Sequence, residues 1–254
     1  MENRRKFLQN IIAAAGMLYT SSTWAKTTVS KKNHLLNASR ISLYKNDVLL
    51  FQGDSITDVG RNREVKEPNI ADGMGKGYPF LAAAKLLREY ADKDVKIYNR
   101  GISGHKVPQL ADRWQEDCLD LHPQILSILI GINDYWHKRD GHYDGNSQSF
   151  KAQYRQLLES TMTNLPEIKI IIGEPFTVKE VKHVTESWFP EVEEYQLATR
   201  ELANEFNLLF IPYQKVFDEA CKVADGGYWT TDGIHPTLAG ADLMAEAWLQ
   251  MIKK

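Results

Sequence analysis

Five short apolar runs constrain this chain more than any other feature: residues 48–51, 95–99, 125–130, 168–172 and 208–211. Each is followed by a polar or glycine-bearing turn and then by a stretch with helical spacing of apolar residues. The run Ile125-Leu126-Ser127-Ile128-Leu129-Ile130 is apolar almost throughout, where a half-exposed strand would alternate. A strand of that kind is covered on both faces, as in a parallel sheet lying between helices. Helical periodicity is predicted over residues 78–90, 107–119, 150–164, 191–206, 215–223 and 238–252. Strands alternating with helices in this way require right-handed crossovers. The expected fold is α/β, a three-layer α/β/α sandwich around a five-stranded parallel sheet. A chain of 254 residues suffices for one such domain, and no repeat or linker divides it.

The first residues read as a separate segment. Arg4-Arg5-Lys6 precede a short apolar run over residues 11–18, and Thr23-Trp24-Ala25 ends in a small residue suited to cleavage. Residues 1–25 are therefore expected to be a signal peptide and residues 26–254 the folded domain. The protein is expected to be exported, periplasmic or secreted, and the paired arginines resemble a twin-arginine signal. The apolar run is too short to span a bilayer, so no integral membrane segment is expected. A formal net charge of −2 gives no basic character suited to nucleic acid. Cys118 and Cys221 are far apart; pairing and two separate thiols both remain open.

Polar residues follow the first three strands directly: Ser55 in Gly53-Asp54-Ser55, Gly101 in Gly101-Ile102-Ser103-Gly104, and Asn133 in Gly131-Ile132-Asn133-Asp134. In a parallel sheet these positions share the carboxyl edge, where open α/β sheets place their sites. Near the end of the chain stands Asp232-Gly233-Ile234-His235-Pro236. An Asp three residues before a His can orient the imidazole, leaving its other nitrogen to take a proton from a serine. The Ser55 and Gly101 backbone N–H groups and the Asn133 amide are candidate donors to the oxyanion that follows attack. Asp54 and Asp134 are expected to brace their turns through backbone hydrogen bonds.

These four blocks, in this order, resemble the SGNH (GDSL) hydrolase family. The resemblance spans essentially the whole chain after the leader and implies a flavodoxin-like fold. It assigns Ser55 as nucleophile, Asp232 and His235 as its triad partners, and Gly101 and Asn133 as oxyanion donors. Ile56 stands where the name-giving Leu would be, and Thr57 rules out the Gly-x-Ser-x-Gly elbow of other hydrolases. Within the family, residues 51–61, 99–104, 131–136 and 232–240 are most similar to acetylxylan esterases and related carbohydrate esterases. Thr231, however, stands where such a relative carries Trp. The resemblance implies deacetylation of an acetylated carbohydrate without a cofactor, and it leaves a homo-oligomer open.

Tyr135, Trp136, Trp188, Tyr228 and Trp229 fall in predicted loops. Trp136 and Trp229 are candidates to stack on sugar rings, with loop bracing as the competing role. Arg61, in the polar loop over residues 60–76, is a candidate substrate contact, although a solvated loop arginine fits equally. The histidines outside the last block show no metal-ligand spacing, so no metal is expected. The rival functions are a lysophospholipase or acyl thioesterase with the same machinery, and a silent carbohydrate-binding relative.

Overall fold

The structure, a computed structural model, describes residues 40–253. The proposed leader and the polar lead-in after it lie outside these residues. Five strands form one sheet: β1 (Val48–Gly53), β2 (Lys96–Asn99), β3 (Ile125–Leu129), β4 (Lys169–Gly173) and β5 (Leu209–Ile211). All neighbours are parallel, in the order β2-β1-β3-β4-β5. The chain leaves β1 to one side for β2 and then crosses back for β3. The reversal opens a crevice between the loops after β1 and β3.

Seven helices cover the sheet: α1 (Tyr78–Glu89), α2 (Val107–Asp112), α3 (Ile132–Arg139), α4 (Ser147–Asn164), α5 (Glu191–Glu205), α6 (Tyr213–Ala220) and α7 (Leu238–Leu249). Helix α7 packs with α1 and α6, while α4 packs with α2 and α5, and α3 joins α5. The two groups are the outer layers of the sandwich. Phe51 and Ser127 are register partners and face α7. The Trp248 indole donates to Ser127 Oγ at 2.9 Å and lies 4.9 Å from the Phe51 ring centre. Gln52, one residue on, points to the opposite layer, as strand alternation requires. It is fully buried, donates to Asp117 O at 2.7 Å and accepts from Arg113 Nη1 at 2.9 Å.

Two elements differ from the sequence expectation. The helix predicted over residues 107–119 breaks at Arg113 into α2 and a single turn, Trp114–Asp117. Arg113 leaves helical geometry there, and its guanidinium reaches under β1 to Gln52, the Arg100 carbonyl and Asp117. Residues 135–139, expected as loop, belong to α3. That helix has Asp134 in its first turn and His137, Lys138 and Arg139 in its last, the arrangement its dipole favours. Cys118 and Cys221 are both free thiols. No helix among the described residues is long and apolar enough to cross a membrane.

Candidate active site

Ser55 opens a one-turn helix at the very end of β1. Asp54 forces the turn: its Oδ1 accepts from the Ile56 N–H at 3.0 Å, and its carbonyl accepts from Thr57 and Asp58. The early amides of a helix have no partner within it. Accordingly, no acceptor among the described residues takes the Ser55 N–H. Ser55 Oγ lies 2.8 Å from His235 Nε2, and His235 Nδ1 lies 2.7 Å from Asp232 Oδ2. Ser55 and His235, 180 positions apart in the chain, are thus closed into one relay.

The loop carrying Asp232 and His235 is locally self-supporting. Asp232 Oδ1 accepts from the Ile234 and His235 N–H groups at 3.0 and 2.8 Å. The His235 carbonyl accepts from Thr231 N–H at 2.8 Å, and the Gly233 N–H donates to Thr230 Oγ1 at 3.2 Å. Partial burial would raise the Asp232 pKa, but the hydrogen bonds from His235 and Ile234 outweigh it and hold the carboxyl below its ordinary value. Asp232 is therefore a carboxylate, able to stabilise an imidazolium.

Asp54 and Asp134 brace turns, as expected. Asp134 Oδ1 accepts from Val107 N–H at 3.2 Å. Both are completely buried, and among the described residues neither Oδ2 has a partner. Burial pushes each carboxyl up to about 7.

The turn after β2 corrects the assignment of one oxyanion donor. The Gly101 N–H is spent on Asn99 Oδ1 at 2.9 Å. Gly101 is a close-approach position: a Cβ there would lie 2.6 Å from the Asp58 backbone nitrogen. Gly104, three residues on, has φ +81°, and a Cβ there would meet nothing within 4 Å. Its N–H goes to no acceptor among the described residues. Asp58 holds this turn against the serine helix, since its Oδ2 accepts from both the N–H and the Oγ of Ser103 at 2.9 Å. Asn133 is buried at the start of α3, and its Nδ2 donates to His105 O at 3.2 Å, which ties it to the same turn. The uncommitted backbone donors at the sheet edge are therefore Ser55 and Gly104, beside the Asn133 amide. A second glycine in Gly101-Ile102-Ser103-Gly104 was the sequence signal for this. The choice between the two needed the Asn99 hydrogen bond.

Arg61 also departs from expectation. It is only 7% exposed, and its Nε donates to Gly101 O at 2.8 Å. Arg61 is built into the floor of the turn and is not a substrate-facing loop residue. Trp136 sits on α3, half-buried, 5.6 Å from the Trp188 ring and 5.5 Å from the His183 ring. Trp188, expected in a loop, is buried. The His183 N–H donates to Asp232 O at 3.4 Å, so the Trp136 cluster meets the catalytic loop. Trp229 is half-buried. Its indole donates to Ala224 O at 3.1 Å, and its carbonyl accepts from Thr237 N–H at 2.9 Å. Tyr228, edge-on against Trp229, presents the exposed ring.

A serine–histidine–aspartate relay beside free backbone and amide donors, at the reversal point of a five-stranded parallel sheet, is the apparatus of a serine esterase. Residues 51–243 match the GDSL-like lipase/acylhydrolase family, and the chain belongs to that family. Among characterised proteins it is similar to the acetylxylan esterase of Geobacillus stearothermophilus, with 32% identity over 206 residues, covering 80% of this chain and 93% of that one. A crystal structure of that esterase superposes with a TM-score of 0.74 at 31% identity, covering 84% of this chain and 97% of the other. A putative GDSL-like lipase from Parabacteroides merdae superposes with a TM-score of 0.82 at 44% identity, covering 84% and 98%. Catalytic mutants of the Geobacillus esterase alter a serine, an aspartate and a histidine, the same three residue types that form the relay here.

Proposed function

We propose that the protein is an exported esterase that removes acetyl groups from a carbohydrate through an acyl-enzyme on Ser55. The observation that carries this reading is the continuous relay Ser55 Oγ–His235 Nε2 and His235 Nδ1–Asp232 Oδ2, at 2.8 and 2.7 Å. Similarity to an acetylxylan esterase supports the substrate class. The basic and apolar pattern of residues 1–25 supports export.

His235 Nε2 takes the Ser55 proton as Oγ attacks the acetyl carbon. The charge that develops on the carbonyl oxygen is met by the Ser55 and Gly104 N–H groups and the Asn133 amide. His235 returns its proton to the departing sugar oxygen. Water then attacks the acetyl-serine with His235 again as base, and acetate leaves. Asp232 stabilises the imidazolium in both halves of the cycle.

The test is acetate release from acetylated xylan and acetylated xylo-oligosaccharides, wild type beside Ser55→Ala, with p-nitrophenyl acetate and octanoate in parallel. Enzyme recovered from the cell envelope supplies the assay, and its N-terminal sequence reads cleavage after Ala25. The expected result is acetate from the sugars, lost by about 10³-fold or more in a folded Ser55→Ala variant. Hydrolysis that rises with acyl length and spares the sugars would replace this reading with a lipid or thioester substrate.

A further inference from the structure

A column of aromatic rings runs out of the core beside α3 and ends at the catalytic loop. Tyr135, fully buried, lies 5.2 Å from the Trp188 ring. Trp188 lies 5.6 Å from Trp136, and Trp136 lies 5.5 Å from the imidazole of His183. Exposure rises along the column: Trp188 is buried, Trp136 half-buried and His183 exposed. Its inner part is tied down, since Tyr135 Oη donates to Trp188 O at 2.9 Å and Arg139 Nη1 to Ser187 O at 2.8 Å. No hydrogen bond among the described residues engages the His183 imidazole, which tilts 42° from the Trp136 plane.

His183 is also held against the chemistry. It stands at the tip of a tight turn in which Val181 and Val184 pair and the Glu180 N–H donates to Val184 O at 2.8 Å. That turn packs directly on the base loop: a Cβ on Gly233 would lie 2.6 Å from Val184 Cγ2 and 2.8 Å from Val181 O. The His183 N–H donates to Asp232 O at 3.4 Å. On the other side, Trp136 follows Asn133 by three residues on α3, so the two share a face. The Trp136–His183 pair therefore bridges the helix that carries the amide donor and the loop that carries the base. The leaving oxygen takes its proton at His235 Nε2, so the acetylated sugar lies against that imidazole. Asp232 stands beyond it, on the Nδ1 side, and a ring fixed beside Asp232 meets the next sugar of the chain.

We propose that His183, backed by Trp136, is the platform for the sugar ring that adjoins the acetylated one, so that a second sugar adds affinity through this residue. This rests on the reading of the enzyme as a carbohydrate acetylesterase. The imidazole offers a flat face to the C–H side of the sugar and a ring nitrogen at its edge to a hydroxyl. The indole behind it limits its rotation, and the packing on Gly233 fixes the platform relative to His235.

The experiment compares kcat/KM for acetate release from an acetylated methyl xylobioside with that from the methyl xyloside acetylated at the same position. Wild type, His183→Ala and His183→Tyr are assayed, with p-nitrophenyl acetate in parallel. Taking the ratio of the two sugars within each variant cancels any effect of the substitution on the acid–base loop itself. The expected wild-type ratio is about tenfold, carried by KM. It falls to near unity in His183→Ala and is largely kept by His183→Tyr, which restores an aromatic face. A wild-type ratio near unity, or one untouched by His183→Ala, would overturn the platform while leaving the acetylesterase reading standing. Hydrolysis of p-nitrophenyl acetate with no acetate from either sugar would overturn both.

Discussion

Ser55 stands on the end of a central strand, whereas Asp232 and His235 stand on a loop that no strand supports. The serine turn is positioned by distant parts of the chain. Gly101 packs against Asp58, Asn99 Nδ2 donates to the carbonyls of Thr57 and Met74 at 2.6 and 2.8 Å, and Arg61 holds Gly101 O. The acid–base loop is positioned by its own Asp232 carboxylate, Thr230 and Thr231 and by one neighbouring segment, whose Val178 and His183 N–H groups donate to Gly233 O at 2.7 Å and Asp232 O at 3.4 Å. The nucleophile is therefore a property of the whole sheet, and the base a property of one loop and the segment over residues 178–184 that it packs against. A change to the loop should injure chemistry while sparing stability. A change to the serine turn should injure stability as well.

The sharpest way to break this contrast is Asp232→Asn. Asparagine keeps an oxygen for the Ile234 and His235 N–H groups, so the loop should stay folded, but it removes the anionic partner of His235 Nδ1. The expected fall in kcat is roughly 10⁴-fold with little change in Tm. A fall below about tenfold would mean that the loop alone orients the imidazole. Next in size is a pair of glycine substitutions. Gly101→Ala places a Cβ 2.6 Å from the Asp58 nitrogen, whereas Gly227→Ala, near the base loop, meets nothing within 4 Å. Urea unfolding should show a loss of about 1–3 kcal/mol for the first and within about 0.5 kcal/mol of wild type for the second.

The smallest expected effect is in pH dependence. Burial holds the Asp134 carboxyl at about 7, against an ordinary value of 3.8. The native state binds this proton more tightly than the unfolded chain. The stability it contributes is full below the ordinary value and is lost as pH rises through 7. Asp54 behaves in the same way. Glu174 and Asp218 are shifted in the same direction by burial, so Asp134→Asn should reduce the fall in urea midpoint between pH 5 and pH 8 without abolishing it. An unchanged fall would place the pH dependence elsewhere than in the sheet-edge turns.

The sheet was legible because continuous burial writes itself into sequence: Ile125 to Leu129 are all buried, and the run reads as such. The relay was legible because its members lie at strand ends and in a short fixed spacing. Other features depend on partners that sequence does not display. Gln52 reads as an interruption of an apolar strand, yet it is fully buried because Arg113 and Asp117 satisfy it from about sixty residues away. Gly101 and Gly104 look equivalent until Asn99 claims one of the two N–H groups. Arg61 reads as a loop charge, and only its bond to Gly101 O shows it to be interior. Residues 135–139 read as loop because their polar side chains hide a helix short enough to have one apolar turn. Trp136 is consequently set on a rigid element beside Asn133.

Helix α7 gives the molecule a temporal property. Its Trp248 closes over Phe51 and Ser127, and the loop just before it carries Asp232 and His235. The nucleophile leaves the ribosome 180 positions ahead of its proton acceptor, and the lid over β1 and β3 follows that acceptor. While that intervening stretch is made, the chain carries a serine with no base to activate it. Hydrolytic competence arrives only once His235 has been made and has folded against Ser55.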